Sequence, residues 1–471
     1  MPSQRPRAVF PWGTLGRFCP AGAQTGADAA HGKQRASHHG TGETDKASVH
    51  RHLSGAVAHD KQPHQRSATN ARPKLDVPPV TFGQPKQIPN RVDGPVKRPS
   101  GTEATTSPFH RPRIQEITTE TGGRINVVYR APECSRVKGT MPAAADTNAM
   151  ACMPVKWYLP DQSFPDPVDD WFHKVVVQSV TQQDMAAGQT TVVTDYEYGG
   201  GIAWHRNDSE FTDSKTRTWD QFRGYATVTT RTGNGNSAEA PRTKSVATFL
   251  RGMDGDVLAN GTKRTVNVPD AHGGTIKDEE HLSGFVRQTQ TYDRDGGTVI
   301  ADEVSTPWTR EKPTATRAQS GGMPAITARV MNTGKVTSRA KLADGTSWRV
   351  SERTSTYEKD VVFPRVLEVD DKSDLSRPDQ RLCTALTYAS GPGGAPTELA
   401  SRTLVLKGVG GCGQTPTAAN TVGDTRAYFD DKPLGQAGAT ANQTGTEVLE
   451  KYDAAGQPVY RLNITSTYDR P

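Results

Sequence analysis

The chain has 471 residues, of which only 33% are apolar, and it contains 45 glycines and 33 prolines. A mean hydropathy of −0.68 is low for a helix-rich enzyme but suits a sheet with a face in water. Much of the formal net charge of +6 lies in residues 1–115, and from Arg124 onward Lys and Arg are interspersed with Asp and Glu, so we predict no nucleic-acid partner. No stretch reaches the roughly 18–20 continuous apolar residues of a membrane helix, so we predict no membrane span.

Residues 1–112 mix Arg, Pro, His, Gln, Ala and Gly without a period. Such a segment buries too little apolar surface to offset the entropy cost of ordering, so we predict a disordered, low-complexity arm. A gene read from the wrong start or in the wrong frame would give the same mixture. The histidines of the arm lack the fixed spacing of metal ligands. Near the N-terminus, prolines and glycines interrupt the apolar run that a signal peptide would need. We therefore predict neither a metal site nor a signal peptide in the arm.

The composition changes at residue 113, where the stretch "RIQEITTETGGRINVVYR" begins. From there, short runs rich in Val, Thr, Ile and Tyr recur between turn signals. Asp-Gly or Asn-Gly pairs, the strongest short hairpin signal, occupy several reversals: Asp254-Gly255, Asn260-Gly261, Asp295-Gly296 and Asp344-Gly345. We predict an all-β region over residues 113–445, built from sequential antiparallel hairpins.

Six aromatic residues gather in the stretch "DYEYGGGIAWHRNDSEFTDSKTRTWDQFRGYATVTT": Tyr196, Tyr198, Trp204, Trp219, Phe222 and Tyr225. We interpret this aromatic–glycine block as the buried anchors of two adjacent hairpins. Gly199–Gly201 would make a sharp turn, and Gly224 would let a ring lie over the backbone. Arg223 would stack on a ring or pair with Asp220. The alternative is an exposed platform of rings for cell-surface glycans.

Tyr-Asp pairs recur toward the C-terminus. The stretch "KYDAAGQPVYRLNITSTYDRP" contains Tyr452-Asp453-x-x-Gly456 and then Tyr468-Asp469, and "QTYDRDGG" contains a looser copy at Tyr292-Asp293. These motifs resemble the repeats of bacterial RHS proteins, also called YD-repeat proteins. The aromatic–glycine block is similar to a Tyr-x-Tyr…Arg-x-Phe-x-Gly-Phe block in the shell-forming B components of insecticidal toxin complexes. The resemblance covers roughly three quarters of the chain, from about Ile117 onward.

The resemblance implies a secreted or cell-surface protein whose large β-sheet shell encloses or delivers a C-terminal effector or toxin domain. Residues 446–471 would then be the start of the repeat array. Two departures from the family pattern are that the array stops at "YDRP" before the expected Gly-Arg-Leu, and that no toxin domain follows. We therefore expect a truncated array.

The residues of the Tyr-Asp-x-x-Gly repeat also have clear physical roles in a hairpin. Tyrosine supplies a flat ring for contacts between strands, aspartate caps the following turn, and glycine supplies the positive φ of the reversal. Hairpins in series cover each other's edges. The role of these residues would be structural.

Four cysteines lie outside the arm, at Cys134, Cys152, Cys383 and Cys412. Two local disulfides, 134 with 152 and 383 with 412, would suit an oxidising, extracellular setting. Free thiols and a zinc site are the alternatives, although the spacing lacks the Cys-x-x-Cys of zinc ligands.

No catalytic motif stands out, so we predict a non-enzymatic protein without a cofactor. Two Asp-rich turns, at Asp254 with Asp256 and at Asp293 with Asp295, lack the further ligands of a calcium loop. The acidic run at 278–280 is interpreted as a solvated face, although two convergent carboxylates would serve a glycosidase. The alternative to a shell segment is a cell-surface adhesin or carbohydrate-binding β module, which would expose Trp204 and Trp219 on one face.

Overall fold

The computed structural model describes residues 78–159, 166–185, 191–235, 241–359 and 361–469, all within the unit Leu75–Pro471. These residues form 27 strands and four single-turn 3₁₀ helices. The predicted all-β fold of sequential antiparallel hairpins is therefore confirmed. No helix in the described ranges is long and apolar enough to cross a membrane.

The strands are numbered in chain order. The first nine are β1 (Thr81–Phe82), β2 (Lys86–Pro89), β3 (Val96–Lys97), β4 (Glu103–Ala104), β5 (His110–Arg113), β6 (Glu116–Thr118), β7 (Arg124–Tyr129), β8 (Cys152–Trp157) and β9 (Val168–His173). The next nine are β10 (Val177–Gln183), β11 (Thr191–His205), β12 (Gln221–Thr232), β13 (Thr243–Phe249), β14 (Asn267–Pro269), β15 (Thr275–Lys277), β16 (Val286–Tyr292), β17 (Val299–Thr309) and β18 (Ala315–Arg317). The last nine are β19 (Ile326–Ala328), β20 (Met331–Lys341), β21 (Trp348–Tyr357), β22 (Val366–Lys372), β23 (Leu382–Ser390), β24 (Pro396–Lys407), β25 (Thr421–Phe429), β26 (Gln443–Tyr452) and β27 (Pro458–Thr465). The 3₁₀ helices are Glu280–Leu282, Pro378–Gln380, Pro392–Gly394 and Gly411–Gly413.

One sheet of 17 strands dominates the described chain, and all of its pairings are antiparallel. β1 pairs with β6, β6 with β7, β7 with β10 and β10 with β11. From β11 to β27, each strand of this sheet pairs with the next one along the chain. Ten other strands form five separate two-stranded pairs, such as β8–β9 and β14–β15. The sheet is thus a meander, in which short turns can join each strand to its antiparallel neighbour.

Neither face of the central strands is fully covered. Every residue of β20 and of β22 is half-buried, although successive side chains point to opposite faces. A sheet packed against a second layer would instead alternate buried and exposed residues. Charged side chains pair across strands on one of these faces. Glu352 on β21 contacts Lys335 on β20 at 3.3 Å and Lys372 on β22 at 2.7 Å.

Connections leave the strands alternately at the two ends of the sheet, and the long ones share one end. Because strand direction alternates along the meander, the connections at 130–176, 206–220, 250–285 and 310–330 leave from the same end. The inserted pairs β8–β9, β14–β15 and β18–β19 belong to three of them. Trp204, the last residue but one of β11, also lies at this end.

Residues 78–112 differ from the predicted disordered arm, because they contain β1 to β4 and part of β5. The stretch has few apolar residues, but later segments bury them. Val92 is fully buried in a cluster with the cysteines Cys134 and Cys152. Next to it, the Arg91 guanidinium donates to the buried Asp170 carboxylate at 2.7 Å. Partners remote in sequence therefore order a segment whose own composition predicts disorder; residues 1–77 lie outside the described ranges.

Candidate functional site

The aromatic–glycine block lies on a single hairpin rather than two. Tyr196, Tyr198 and Trp204 belong to β11, and Phe222 and Tyr225 belong to β12. Trp219 lies in the connection just before β12. The expected two hairpins are thus one long pair, because both strands continue past the glycines.

Ring contacts across this hairpin build a core. Trp204 is 2% exposed and Tyr225 is 7% exposed, in a cluster with Ile202 and Ala151. The Trp204 ring centroid lies 5.7 Å from that of Phe222. The indole N–H of Trp204 donates to the Met150 carbonyl at 3.1 Å, so its one polar group is satisfied.

Two more rings of the block pack against this cluster. The Tyr198 ring lies 4.7 Å from the Tyr225 ring, and its hydroxyl donates to the Val177 carbonyl at 2.6 Å. Trp219 is partly buried, and its N–H donates to the Val257 carbonyl at 2.8 Å. A sugar platform would require Trp204 and Trp219 to be exposed on one face. The burial of Trp204 argues against a platform here.

The glycines form bulges inside the strands rather than the expected sharp turn. Gly200 and Gly201 have φ of 72° and 71°, and the β11–β12 register shifts between Gly199 and Ile202. A Cβ on Gly201 would lie 2.9 Å from Ala149 Cβ. Gly224 on the facing strand has φ of 84°. The bulges keep both strands paired while the chain bends, so the three glycines do not end the strand.

Arg223 does not pair with Asp220. Its guanidinium donates to Glu280 at 2.8 Å and to Gln221 at 3.0 Å. The Glu280 carboxylate comes from the connection between β13 and β16, 57 residues away. A partner so distant in sequence could not be read from the local pattern.

Burial is the main electrostatic influence on the aromatic cluster. Desolvation raises the pKa of Tyr225 to about 12, and the nearby Glu133 carboxylate adds to the rise. Desolvation also raises the pKa of Tyr198. Both phenols therefore stay protonated near neutral pH, as structural tyrosines do.

The C-terminal Tyr-Asp motif forms the turn between β26 and β27. The Asp453 carboxylate accepts hydrogen bonds from the N–H groups of Ala455 at 2.9 Å and Gln457 at 2.7 Å. Gly456 has φ of 76°. The Tyr452 hydroxyl lies 2.8 Å from the Thr421 hydroxyl on β25. In this motif aspartate caps, glycine reverses the chain and tyrosine contacts a neighbouring strand.

The looser copy forms the equivalent turn between β16 and β17. Asp293 accepts from the N–H of Thr298 at 2.7 Å, and Gly296 has φ of 80°. The Tyr292 ring lies 4.1 Å from Lys244 Nζ on the neighbouring strand β13. This tyrosine therefore contacts a cation rather than another ring.

Sequence reasoning missed a third turn of this kind, within β14–β15. Asp270 accepts from the N–H groups of His272 at 2.8 Å and Gly274 at 3.0 Å, and Gly273 has φ of 84°. The signal was present, because Asp270 and Gly273 repeat the Asp-x-x-Gly spacing without the preceding tyrosine.

The last Tyr-Asp pair, Tyr468-Asp469, follows β27 and forms no strand. Tyr468 is 51% exposed, and its hydroxyl donates to the Gln443 carbonyl at 3.0 Å. Asp469 is exposed.

The cysteines pair as the local-disulfide interpretation predicts. Cys134 bonds Cys152 with a Cα–Cα distance of 6.3 Å, and Cys383 bonds Cys412 with a distance of 5.0 Å. Cys383 is fully buried against Leu404 and Leu406. The second bridge thus anchors the connection after β24 to a local core.

The acidic turns serve the backbone. Glu279 and Glu280 are exposed, as predicted for the acidic run. Asp278 is instead fully buried, and it accepts from the N–H groups of Arg251, Gly252 and Met253 at 2.7–3.1 Å. Asp256 is also buried and pairs with Arg264 at 2.9 Å. No group of three or more His, Cys, Asp or Glu in the described ranges could hold a metal ion.

Comparisons with known proteins give structural similarity only. No protein-family model and no curated protein matches the chain. The chain is similar to the crystal structure of TcdB2-TccC3, with 11% identity over 72% of this chain and 18% of that chain at a TM-score of 0.41. It is also similar to TcdB2-TccC3 without its hypervariable C-terminal region, with 11% identity over 74% of this chain and 19% of that chain at a TM-score of 0.43. The chain thus spans less than a fifth of the length of these structures.

Proposed function

We propose that this chain is a non-enzymatic wall segment of a secreted RHS/YD-repeat protein whose β-shell encloses or delivers a C-terminal effector. The observation that supports it is the 17-stranded meander whose central strands β20 and β22 are half-buried on both faces. A sheet that served as the core of a compact domain would cover at least one face. The wall of a hollow shell has solvent on the outside and a lumen on the inside, so both of its faces carry polar side chains.

The edge strand β27 fits a wall that continues. Its backbone pairs with β26, and Leu462 and Ile464 on it are 63% and 53% exposed. A long, exposed edge is an aggregation hazard that proteins normally cover. In a repeat array the following hairpin would pair with this edge.

The proposed secretion rests on the two disulfides, because such bridges persist in oxidising compartments. The non-enzymatic role rests on how the buried carboxylates are used. Asp170, Asp256 and Asp278 bind guanidinium or backbone N–H groups, which are structural duties.

The test compares one wall position on each face. Thr337 and Ser338 are adjacent on β20, both half-buried, and therefore point to opposite faces. Each is replaced by cysteine in a Cys19→Ser background, both in this chain and in the longest open reading frame that contains it. We expect a small maleimide to label both positions in both proteins. A polymer-tagged maleimide should label both positions in this chain but only one in the longer protein.

Two results would contradict the proposal. Equal labelling of both positions by the large reagent in the longer protein would mean that no compartment exists. Failure of the small reagent at one position in this chain would mean that a second layer covers that face.

A further inference from the structure

A cleft lies on the face of the sheet that carries the cross-strand ion pairs. Its floor is a row of three residues on adjacent strands: Gln290 on β16 faces Asp302 on β17, which faces Arg339 on β20. The turn of β14–β15 forms one wall, and Trp348 at the start of β21 forms the other. We call this the Trp348 cleft. The cleft is open on one side and has a volume of about 490 Å³, within the usual range of small-molecule sites.

The Asp302 carboxylate is built into the floor. It is 4% exposed, and it accepts from the Gln288 amide at 2.5 Å while lying 3.0 Å from His272 Nε2. The N–H of Ala271 donates to the Gln288 side chain at 3.0 Å. Two contacts from the sheet and the turn therefore hold this carboxylate in one orientation, and each carboxylate oxygen retains a second lone pair for a ligand.

Arg339 supplies the donors of the floor. Its Nη1 lies 3.6 Å from Asp302 Oδ1, beyond hydrogen-bond distance, and this buried atom has no hydrogen-bond partner. A buried donor without a partner is costly in a native protein. A ligand hydroxyl that approaches both groups from the cleft would accept from the Arg339 guanidinium and donate to the Asp302 carboxylate.

Trp348 supplies an apolar surface beside these polar groups. It faces Lys341 across the β20–β21 pairing, so it stands on the same face as Arg339, two residues away on β20. The residue is 37% exposed, so part of the ring remains accessible. Val350, two residues further along β21, also lines the cleft.

We propose that the Trp348 cleft binds a pyranose sugar. A planar carboxylate, guanidinium and amide in one row match the donors and acceptors of vicinal hydroxyls, while the indole packs against the C–H face of the ring. Asp302 and Arg339 offset each other's charge, which disfavours a strongly charged ligand. Four of the eight residues that line the cleft are polar or charged, which disfavours a purely apolar ligand. The site is distinct from the aromatic–glycine block and goes beyond the proposed wall function.

Saturation-transfer NMR on the full chain tests the proposal. The probes are three sugars, methyl β-galactopyranoside, methyl β-glucopyranoside and glucuronic acid, and acetate as a plain anion. Each is used at about 10 mM, so that a site with a Kd of about 1 mM is mostly occupied. We expect saturation transfer to the ring protons of at least one sugar. Trp348→Ala should reduce it by about tenfold, and Gln290→Ala should weaken it severalfold.

Phe211→Ala is the matched control, because Phe211 is an 84% exposed aromatic residue outside the cleft; it should leave the transfer unchanged. Amide-exchange maps of each variant check that the sheet is intact, and Gln290→Ala serves if Trp348→Ala fails to fold. Three results would overturn the proposal: no transfer to any sugar, equal transfer in the parent and both cleft variants, or binding of acetate and glucuronic acid without either neutral glycoside.

Discussion

Trp204→Ala is expected to be among the most damaging single substitutions in the β11–β12 hairpin. The side chain is 2% exposed, packs with Ile202 and Tyr225, and lies 5.7 Å from the Phe222 ring. Removal of a buried tryptophan typically costs about 3–5 kcal/mol of unfolding free energy. The substitution also leaves the Met150 carbonyl without its indole donor, so we expect a loss in the upper half of that range.

The assay combines urea unfolding with amide exchange, because a sheet of this size need not unfold in one step. Exchange should accelerate across β11 and β12 in Trp204→Ala. Trp204→Phe keeps a ring in the cluster and should lose less than half as much. Trp348→Ala, at a 37% exposed position, should stay within about 1 kcal/mol of the parent. If Trp204→Ala matches Trp348→Ala in midpoint and exchange, the hairpin core does not depend on this ring and our reasoning is wrong.

Three further predictions concern turns, bridges and pH. Asp453→Ala should cost about 1–2 kcal/mol, because two backbone N–H groups lose their acceptor; unchanged amide exchange in that turn would count against the cap. Replacing Cys383 and Cys412 with alanine opens a bridge across 29 residues and should cost about 3–4 kcal/mol in urea unfolding, whereas an unchanged midpoint would show that the bridge contributes nothing. Hydrogen bonds, first from the Ser347 side chain, lower the pKa of Asp344 from 3.8 to about 2. The ionised turn is therefore fully stabilised above pH 3.8 and loses this stabilisation as pH falls toward 2; Asp344→Asn should remove that pH dependence, and a carboxyl NMR midpoint at 3.8 would contradict it.

Local chemistry made much of the fold predictable. Alternating Val, Thr and Tyr runs between Asp-Gly turns indicate sequential hairpins, because side-chain period and turn type depend only on neighbouring residues. The motif at Asp453 and Gly456 is predictable for the same reason, since its hydrogen bonds span four residues or fewer. The pairing of Cys383 with Cys412 could be predicted from the sequence because, among the cysteines outside the arm, each of the two is the nearest in the chain to the other.

Contacts between remote segments were not predictable in this way. Gly199–Gly201 has the composition of a turn, but continued pairing with β12 beyond the glycines makes it a bulge. Asp278 sits in an acidic run typical of a solvated face, but the backbone of the segment 251–253 surrounds it. Residues 78–112 have the composition of a disordered arm, but Val92 is buried by residues 40 or more positions away.

The sequence by itself therefore indicated the all-β fold class, the strand-joining turns at Asp295-Gly296 and Asp344-Gly345, and the local pairing of the cysteines, because each depends on residues close together in the chain. Asp254-Gly255 and Asn260-Gly261 lie instead in the connection between β13 and β14 and join no two strands. Only the tertiary structure decided which side chains share a face of the sheet. The row of Gln290, Asp302 and Arg339 exists because pairing register brings three strands side by side. A slip of one residue in any one of these strands would move its side chain to the opposite face, away from the other two.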